Sequence, residues 1–328
     1  MHLGADCRGL PHVEVVLQPV DTLQGSATHS LGISDLDRRF NLRLRTLMGL
    51  GFSSMYAGFV RDVDVAALRR QGIVSVLSFV DFECNPVALP VGQEAKIAYS
   101  FRLCRAPVKA TDQGKGRLVI EVRVELTSMP GTGDPKRYRD VAEGASPVQA
   151  GRSRLVLVLT RPSAPPEQRL VTETPAELST LQEHPLEDAE AVSSLSEEPP
   201  AGYEAAEPAE LLRHASVWGL HHTDINQAVF TGEYVTAMED HFARLAQAAK
   251  LPVAQHQINR VQLLLKRPFM AGDAYELQGR LFKQGEKTLL LGGVFPVVPE
   301  GTGRRASVAA RLEGVCSAPA ASPGQRAP

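Results

Sequence analysis

The stretch His221-His222-Thr223-Asp224-Ile225-Asn226-Gln227-Ala228-Val229-Phe230-Thr231-Gly232-Glu233-Tyr234 decides how the chain is read. Polar residues suited to a strand end pass, at Asp224, into apolar positions Val229, Phe230, Val235, Met238 and Phe242, which recur at helical spacing. Aspartate is among the best helix N-caps, so a helix is predicted to begin at Asp224. Beyond Lys250, residues 258–265 read as a strand, Ala271-Gly272-Asp273 as a turn and residues 275–281 as the partner strand.

The same order of parts occurs earlier in the chain. Residues 73–79 read as a strand, Val91-Gly92-Gln93 as a turn and residues 95–103 as the partner strand, so that Gly92 and Gly272 lie 180 positions apart. Further strands are expected at 118–126 and 154–160 in the first block, and at 288–298 and 307–312 in the second. A first helix, capped by Ser34 or Asp37, would carry Phe40, Leu42, Leu44, Leu47, Met48 and Met55, with Gly49 and Gly51 interrupting it. One helix and several consecutive strands per unit fit an antiparallel α+β sheet better than a parallel repeat. There is no G-x-G-x-x-G or phosphate-loop motif to argue otherwise.

Composition shifts between 161 and 208, where proline, glutamate, serine and alanine crowd out large apolar residues. Such a stretch is expected to be a disordered linker, because it offers too little apolar surface to offset its ordering entropy. Residues 316–328 have the same character and read as a flexible tail. With 328 residues, 43% of them apolar, the chain has room for two cores, at 12–160 and 209–315. A net charge of −2 gives no footprint for nucleic acid or for an anionic membrane. The four cysteines show no ligand spacing, so no metal site is expected and they read as reduced thiols. Without a leader-like start or a long apolar run, the expectation is a soluble, cytoplasmic protein.

The Asp-x-Asn-x-x-Val-x-x-x-x-Tyr spacing of Asp224, Asn226, Val229 and Tyr234 resembles the hotdog-fold acyl-thioester enzymes, in their 4-hydroxybenzoyl-CoA thioesterase and acyl-ACP thioesterase branches. The resemblance implies a double hotdog: two antiparallel sheets, each wrapped on a long central helix. It also implies hydrolysis of an acyl-CoA or acyl-ACP without a cofactor, and a homodimer of double hotdogs as an assembly. In that reading Asp224 is the base or nucleophile and Asn226 positions substrate or water. The amides near Ala228 and Val229 form the oxyanion hole, since a helix N-terminus aims donors at developing negative charge.

Each of these residues also has a plainer reading. Asp224 can be a structural cap and nothing more. Ala228 stands where the acyl-ACP branch has a histidine, and residues 263–269 lack the acidic residue which that branch places in the following strand. His221 or His222 could substitute, but in an extended segment they face opposite ways, and a strand histidine is more often a core or surface residue. Tyr234 and Glu239 are further candidates on the helix, Glu239 with a polar-face reading beside it, while His241 reads as solvated or ion-paired and Trp218 as core or pocket wall. In the first block Asp35, Asp37 and Asn41 occupy roughly the corresponding place, among Arg38, Arg39, Arg43 and Arg45, which could solvate a helix face or meet carrier phosphates. Three functions follow. They are a thioester hydrolase, a non-catalytic acyl-binding scaffold that has kept the fold, and, ranked below these, a hotdog dehydratase, whose histidine neither helix start supplies.

Overall fold

The structure, a computed structural model, describes residues 20–107, 116–206, 213–224, 227–297 and 305–316. In the first half, β1 (Leu23–Ser30) is followed by α1 (Leu44–Asp62), the short α2 (Val65–Arg70), β2 (Val74–Cys84), β3 (Glu94–Ala106), β4 (Arg117–Ser128) and β5 (Val148–Thr160). Two short strands, β6 (Glu183–Pro185) and β7 (Glu204–Ala205), lead to the second half. There β8 (His214–Val217) precedes α3 (Thr231–Ala248), β9 (His256–Leu265), β10 (Ala274–Gln284), β11 (Lys287–Pro296) and β12 (Val308–Cys316).

These strands make one large, mostly antiparallel sheet rather than the two expected, in the order β1-β3-β4-β5-β2-β9-β12-β11-β10-β7. The halves join where β2 pairs antiparallel with β9, from Phe79 opposite Leu264 to Glu83 opposite Arg260. Two open sheets would each leave a row of unpaired backbone groups, and joining them removes both edges. Side chains fasten the seam: Arg260 donates to both Asp81 oxygens at 2.9 and 2.7 Å, and Gln262 donates to the same carboxylate at 3.0 Å.

Helix α1 lies against β2, β3, β4 and β5, and α3 against β10, β11 and β12. The buried residues of α3, from Tyr234 and Val235 through Met238 and Phe242 to Leu245, recur every three or four positions, which turns one face to the sheet. In α1 the glycines do not break the helix. Gly58 serves a close approach instead, since a Cβ there would sit 2.3 Å from the Tyr99 ring of β3.

The stretch expected to be a disordered linker is ordered from 161 to 206. It crosses the outer face of the first-half sheet, adds β6 beside β3, and buries Val171, Leu178, Leu181, Leu186 and Val192. Composition hid this because the few apolar residues are widely spaced, yet Val171, Leu178 and Leu181 join the main core, and Leu186 and Val192 meet apolar positions on the outer face of β3, β4 and β5, such as Cys104, Val119 and Val156. Those strands are therefore covered on both faces. On the same outer face Glu121, 1% exposed, accepts from Arg154 at 2.7 Å and Arg123 at 3.3 Å, with Arg102 at 3.6 Å; Glu187 of the crossing segment meets Arg102 and Arg123 in turn. Residues 12–19 and 317–328 of the expected first block and tail lie outside the described residues. Among the described residues, no helix is long and apolar enough to cross a membrane.

Candidate functional site

Both long helices begin later than expected, and by the same amount. Asp224 does not cap α3, which starts at Thr231 with Phe230 as N-cap residue, and Asp37 likewise lies seven positions before Leu44, the start of α1. Between each aspartate and its helix the chain makes a tight loop. In the first, the Asp37 amide donates to the Asn41 carbonyl at 2.8 Å and Phe40 adopts a φ of 64°. In the second, the Asp224 amide donates to the Ala228 carbonyl at 2.9 Å and Gln227 adopts a φ of 63°. These bonds and the left-handed residue recur at a spacing of 187 in the sequence, so Asp37 corresponds to Asp224 and Asn41 to Ala228. Left-handed backbone at a residue other than glycine is uncommon, and its repetition at matching positions marks the loops as copies of one device.

The second loop forms the rim of a cavity of about 490 Å³, within the ~300–1,000 Å³ range of small-molecule sites. Asp224, Ala228, Val229, Thr231 and Tyr234 line one end. The body lies in the first half, between Met55 and Phe59 of α1 and the inward residues of the strands, Phe101, Ile120, Val122 and Leu157. It is an apolar slot with a polar mouth, where Arg69, Lys266 and Arg267 bring positive charge. The strands that build the slot were legible in the sequence as a core face, but nothing in their alternation shows that the face is left unfilled.

The expected site residues separate on inspection. Asp224 is exposed at the cavity's end, and Asn226 lies outside the described residues. The Val229 amide is not available to a substrate oxygen, because it donates to the Phe269 carbonyl at 2.8 Å. The first turn of α3 from Thr231, which has no side-chain cap, supplies donors on this rim. Tyr234 is buried, and its hydroxyl accepts from the Phe269 amide at 3.1 Å; burial pushes its pKa up to about 12. Its role is to pin the helix start to the turn before β10, within an aromatic group that includes Trp218 and Phe269. Trp218 is core, stacked on Tyr275 at 4.0 Å.

The histidines do not point to opposite faces. They sit on a 3-10 turn, not a strand, with ring centroids 3.8 Å apart. His222 accepts from the Gly219 amide through Nδ1 at 2.8 Å, as Asp35 accepts from the Gly32 amide at 2.7 Å in the first half. A bond conserved between the two loops by different side chains is a structural closure of the turn. His241 is fully buried rather than solvated or ion-paired, with neither ring nitrogen hydrogen-bonded among the described residues, and desolvation pulls its pKa down to about 4. Sequence reading missed it because two acidic neighbours, Glu239 and Asp240, suggested a wet face.

The first loop is tied by polar side chains. Asn41, 6% exposed, donates through Nδ2 to Gln257 of β9 at 2.9 Å and to Asp37 at 3.3 Å. Asp37 also accepts from the amides of Arg39 at 2.7 Å and Asn41 at 2.9 Å. Glu239 of α3 is partly buried, and its carboxyl pKa is pushed up to about 7 by desolvation and by Asp240, against the opposing pull of Arg45 and Arg43.

No protein-family model matches the chain, and no curated protein matches it. Solved structures do. One described as an oleoyl thioesterase of Lactobacillus plantarum has a TM-score of 0.58 at 11% identity, over 89% of this chain and 95% of that one. A 12:0-ACP thioesterase from Umbellularia californica has a TM-score of 0.55 at 12% identity, over 89% and 97%. An acyl-ACP thioesterase from Bacteroides thetaiotaomicron has a TM-score of 0.52 at 13% identity, over 89% and 97%. At such identities the likeness establishes the fold: the chain has the hotdog fold of these thioesterases along nearly its whole length.

Proposed function

We propose that this protein is an acyl-thioester hydrolase built as a double hotdog, with an acyl-CoA or acyl-ACP as substrate. The observation that carries the reading is the apolar cavity of about 490 Å³ ending at Asp224 and the first turn of α3. An acyl chain in the slot would bring its thioester carbonyl to the Ala228 amide and the helix N-terminus, where each well-placed donor is typically worth ~3–4 kcal/mol to an oxyanion. Asp224 would act as base or nucleophile, with Asn226 as positioning residue. Arg69, Lys266 and Arg267 stand where the phosphates of the carrier arm would emerge. Cys84 and Cys104, both buried free thiols, suit a reducing compartment such as the cytoplasm.

The test is a panel of acyl-CoA and acyl-ACP substrates of rising chain length, with Met55→Trp beside wild type. Tryptophan at this partly buried wall position shortens the slot. Hydrolysis of long chains should fall at least tenfold in kcat/KM while that of short chains holds. Equal loss at every length would show that the slot does not hold the acyl group. A second reading, an acyl-binding protein without turnover, is favoured by two observations: Ala228 offers no side chain for proton transfer, and the Val229 amide is already engaged. Tight binding of an acyl-CoA with no hydrolysis across the panel would decide for it.

The division into units at 12–160 and 209–315, each a helix wrapped by its share of the sheet, belongs to the same proposal. Residues 209–315 alone would expose the β9 edge that β2 covers. Expressed separately, this half is expected to aggregate or self-associate. A well-folded monomer on size-exclusion chromatography would contradict the pairing.

A further inference from the structure

The two halves fill one place in the core from opposite sides. Gly92 and Gly272 align the turns before β3 and β10, so Tyr99 of β3 corresponds to Gly279 of β10. In the first half the helix gives way: a Cβ on Gly58 of α1 would sit 2.3 Å from the Tyr99 ring. In the second half the sheet gives way. Gly279 stands opposite Gly292 of β11, and a Cβ on Gly279 would lie 3.4 Å from Nε2 of His241 and 2.6 Å from the Leu290 side chain. His241 of α3 therefore rests on bare backbone, fully buried, and neither ring nitrogen has a hydrogen-bond partner among the described residues. The charges that act on it are both positive, Arg244 of its own helix and His214 of β8. On the strands beneath, Glu276 of β10 faces Arg213 at 3.6 Å, Arg280 lies over the Phe282 ring, and Arg311 and Glu313 of β12 pair with each other at 2.9 Å. Lys283 of β10 and Lys287 of β11 are exposed. A proton on the ring would meet neither an acceptor nor a counter-charge.

We propose that His241 is an acid-sensitive latch: when the ring takes up a proton it must leave its place on Gly279, and α3 comes off β10 with it. An imidazolium buried without a partner is costly, so the seated helix holds the neutral ring. Desolvation above all, with Arg244 and His214 behind it, pulls the pKa from 6.5 down to about 4. The released chain therefore binds the proton first. Stability from the neutral ring is complete above about pH 6.5 and is lost as the pH falls toward 4. From those two values the equilibrium constant for release rises about 20-fold between pH 7 and pH 5, and about 100-fold between pH 7 and pH 4. Helix α3 carries Thr231 and Tyr234 of the cavity rim, so its release would also take apart that end of the cavity. The inference concerns the seating of a helix and holds whether or not the protein hydrolyses thioesters.

The sole tryptophan, Trp218, rests against Tyr234 of α3 and stacks on Tyr275 of β10, so its fluorescence reports the contact between helix and strand. Urea unfolding of the full chain followed by this signal, from pH 7 to pH 4, tests the latch with His241→Leu and His241→Gln beside wild type. Neither replacement titrates. Leucine makes the position apolar and glutamine keeps it polar and unpaired, so a change common to both belongs to the proton and not to packing. Between pH 7 and pH 5 the unfolding constant of wild type should rise about 20-fold more than that of either variant. Hydrogen exchange at pH 5 should place the difference in α3 and β10, whose amides exchange faster in wild type than in His241→Leu, while those of α1 and β4 match. Should His241→Leu fail to fold, His241→Gln decides by the same two measurements. Equal pH dependence in wild type and the variants, or an exchange difference spread evenly over both halves, overturns the latch.

Discussion

Replacing Asp224 by asparagine is expected to lower turnover of long-chain acyl thioesters by about 10²–10⁴-fold and to leave the melting temperature nearly unchanged. The first half of the expectation follows from chemistry: asparagine keeps the shape of aspartate but has no carboxylate to accept a proton or attack a carbonyl. The second follows from the structure, though not for the reason the sequence suggests. Asp224 precedes α3 by seven residues, so its replacement removes no helix cap. Its backbone amide and carbonyl still bond Ala228 and Gln227, and the side chain is exposed. Steady-state kinetics on the variant, with calorimetry as the check on folding, separate a catalytic carboxylate from a loop residue. Unchanged kcat would return Asp224 to a structural role. Ala228→His is the companion, since it places a titratable ring on the cavity rim, and a gain in activity in that variant would show that the rim is oriented for proton transfer.

What the sequence could and could not disclose follows from how local each feature is. The strands were legible because their alternation and the glycine turns are short-range: Gly92 and Gly272, each with a φ of 87°, sit at matching turns before β3 and β10. The helix starts were misplaced because aspartate in a tight loop and aspartate at an N-cap look alike in one dimension. Both accept backbone hydrogen bonds, and only the left-handed Phe40 and Gln227 reveal the loop. The partnership of Asn41 with Gln257 was hidden because it spans 216 positions. The crossing segment of 161–206 was misread because its order comes from the sheet beneath it and not from its own composition.

The strand beneath that segment is also where a single change should cost stability. Glu121→Ala is expected to cost about 3–5 kcal/mol, the usual penalty for breaking a buried ion pair by removing one partner. Glu121 is 1% exposed, and Arg154, Arg123 and Arg102 converge on it at 2.7, 3.3 and 3.6 Å. Without it, three guanidinium groups face one another across a position that water hardly reaches, and Glu187 is left as the carboxylate that meets two of them. Arg154 also donates to the Glu187 backbone carbonyl at 2.6 Å, so displacement of these arginines loosens the crossing segment as well as the sheet. Denaturant unfolding measures the loss, and limited proteolysis within 161–206 should speed up with it. Activity per folded molecule should hold, because Ile120 and Val122 on either side of Glu121 point into the cavity on the opposite face of β4. A cost under about 1 kcal/mol would place the cluster among the screened surface pairs that contribute little, and the segment would then owe its position to apolar contacts alone.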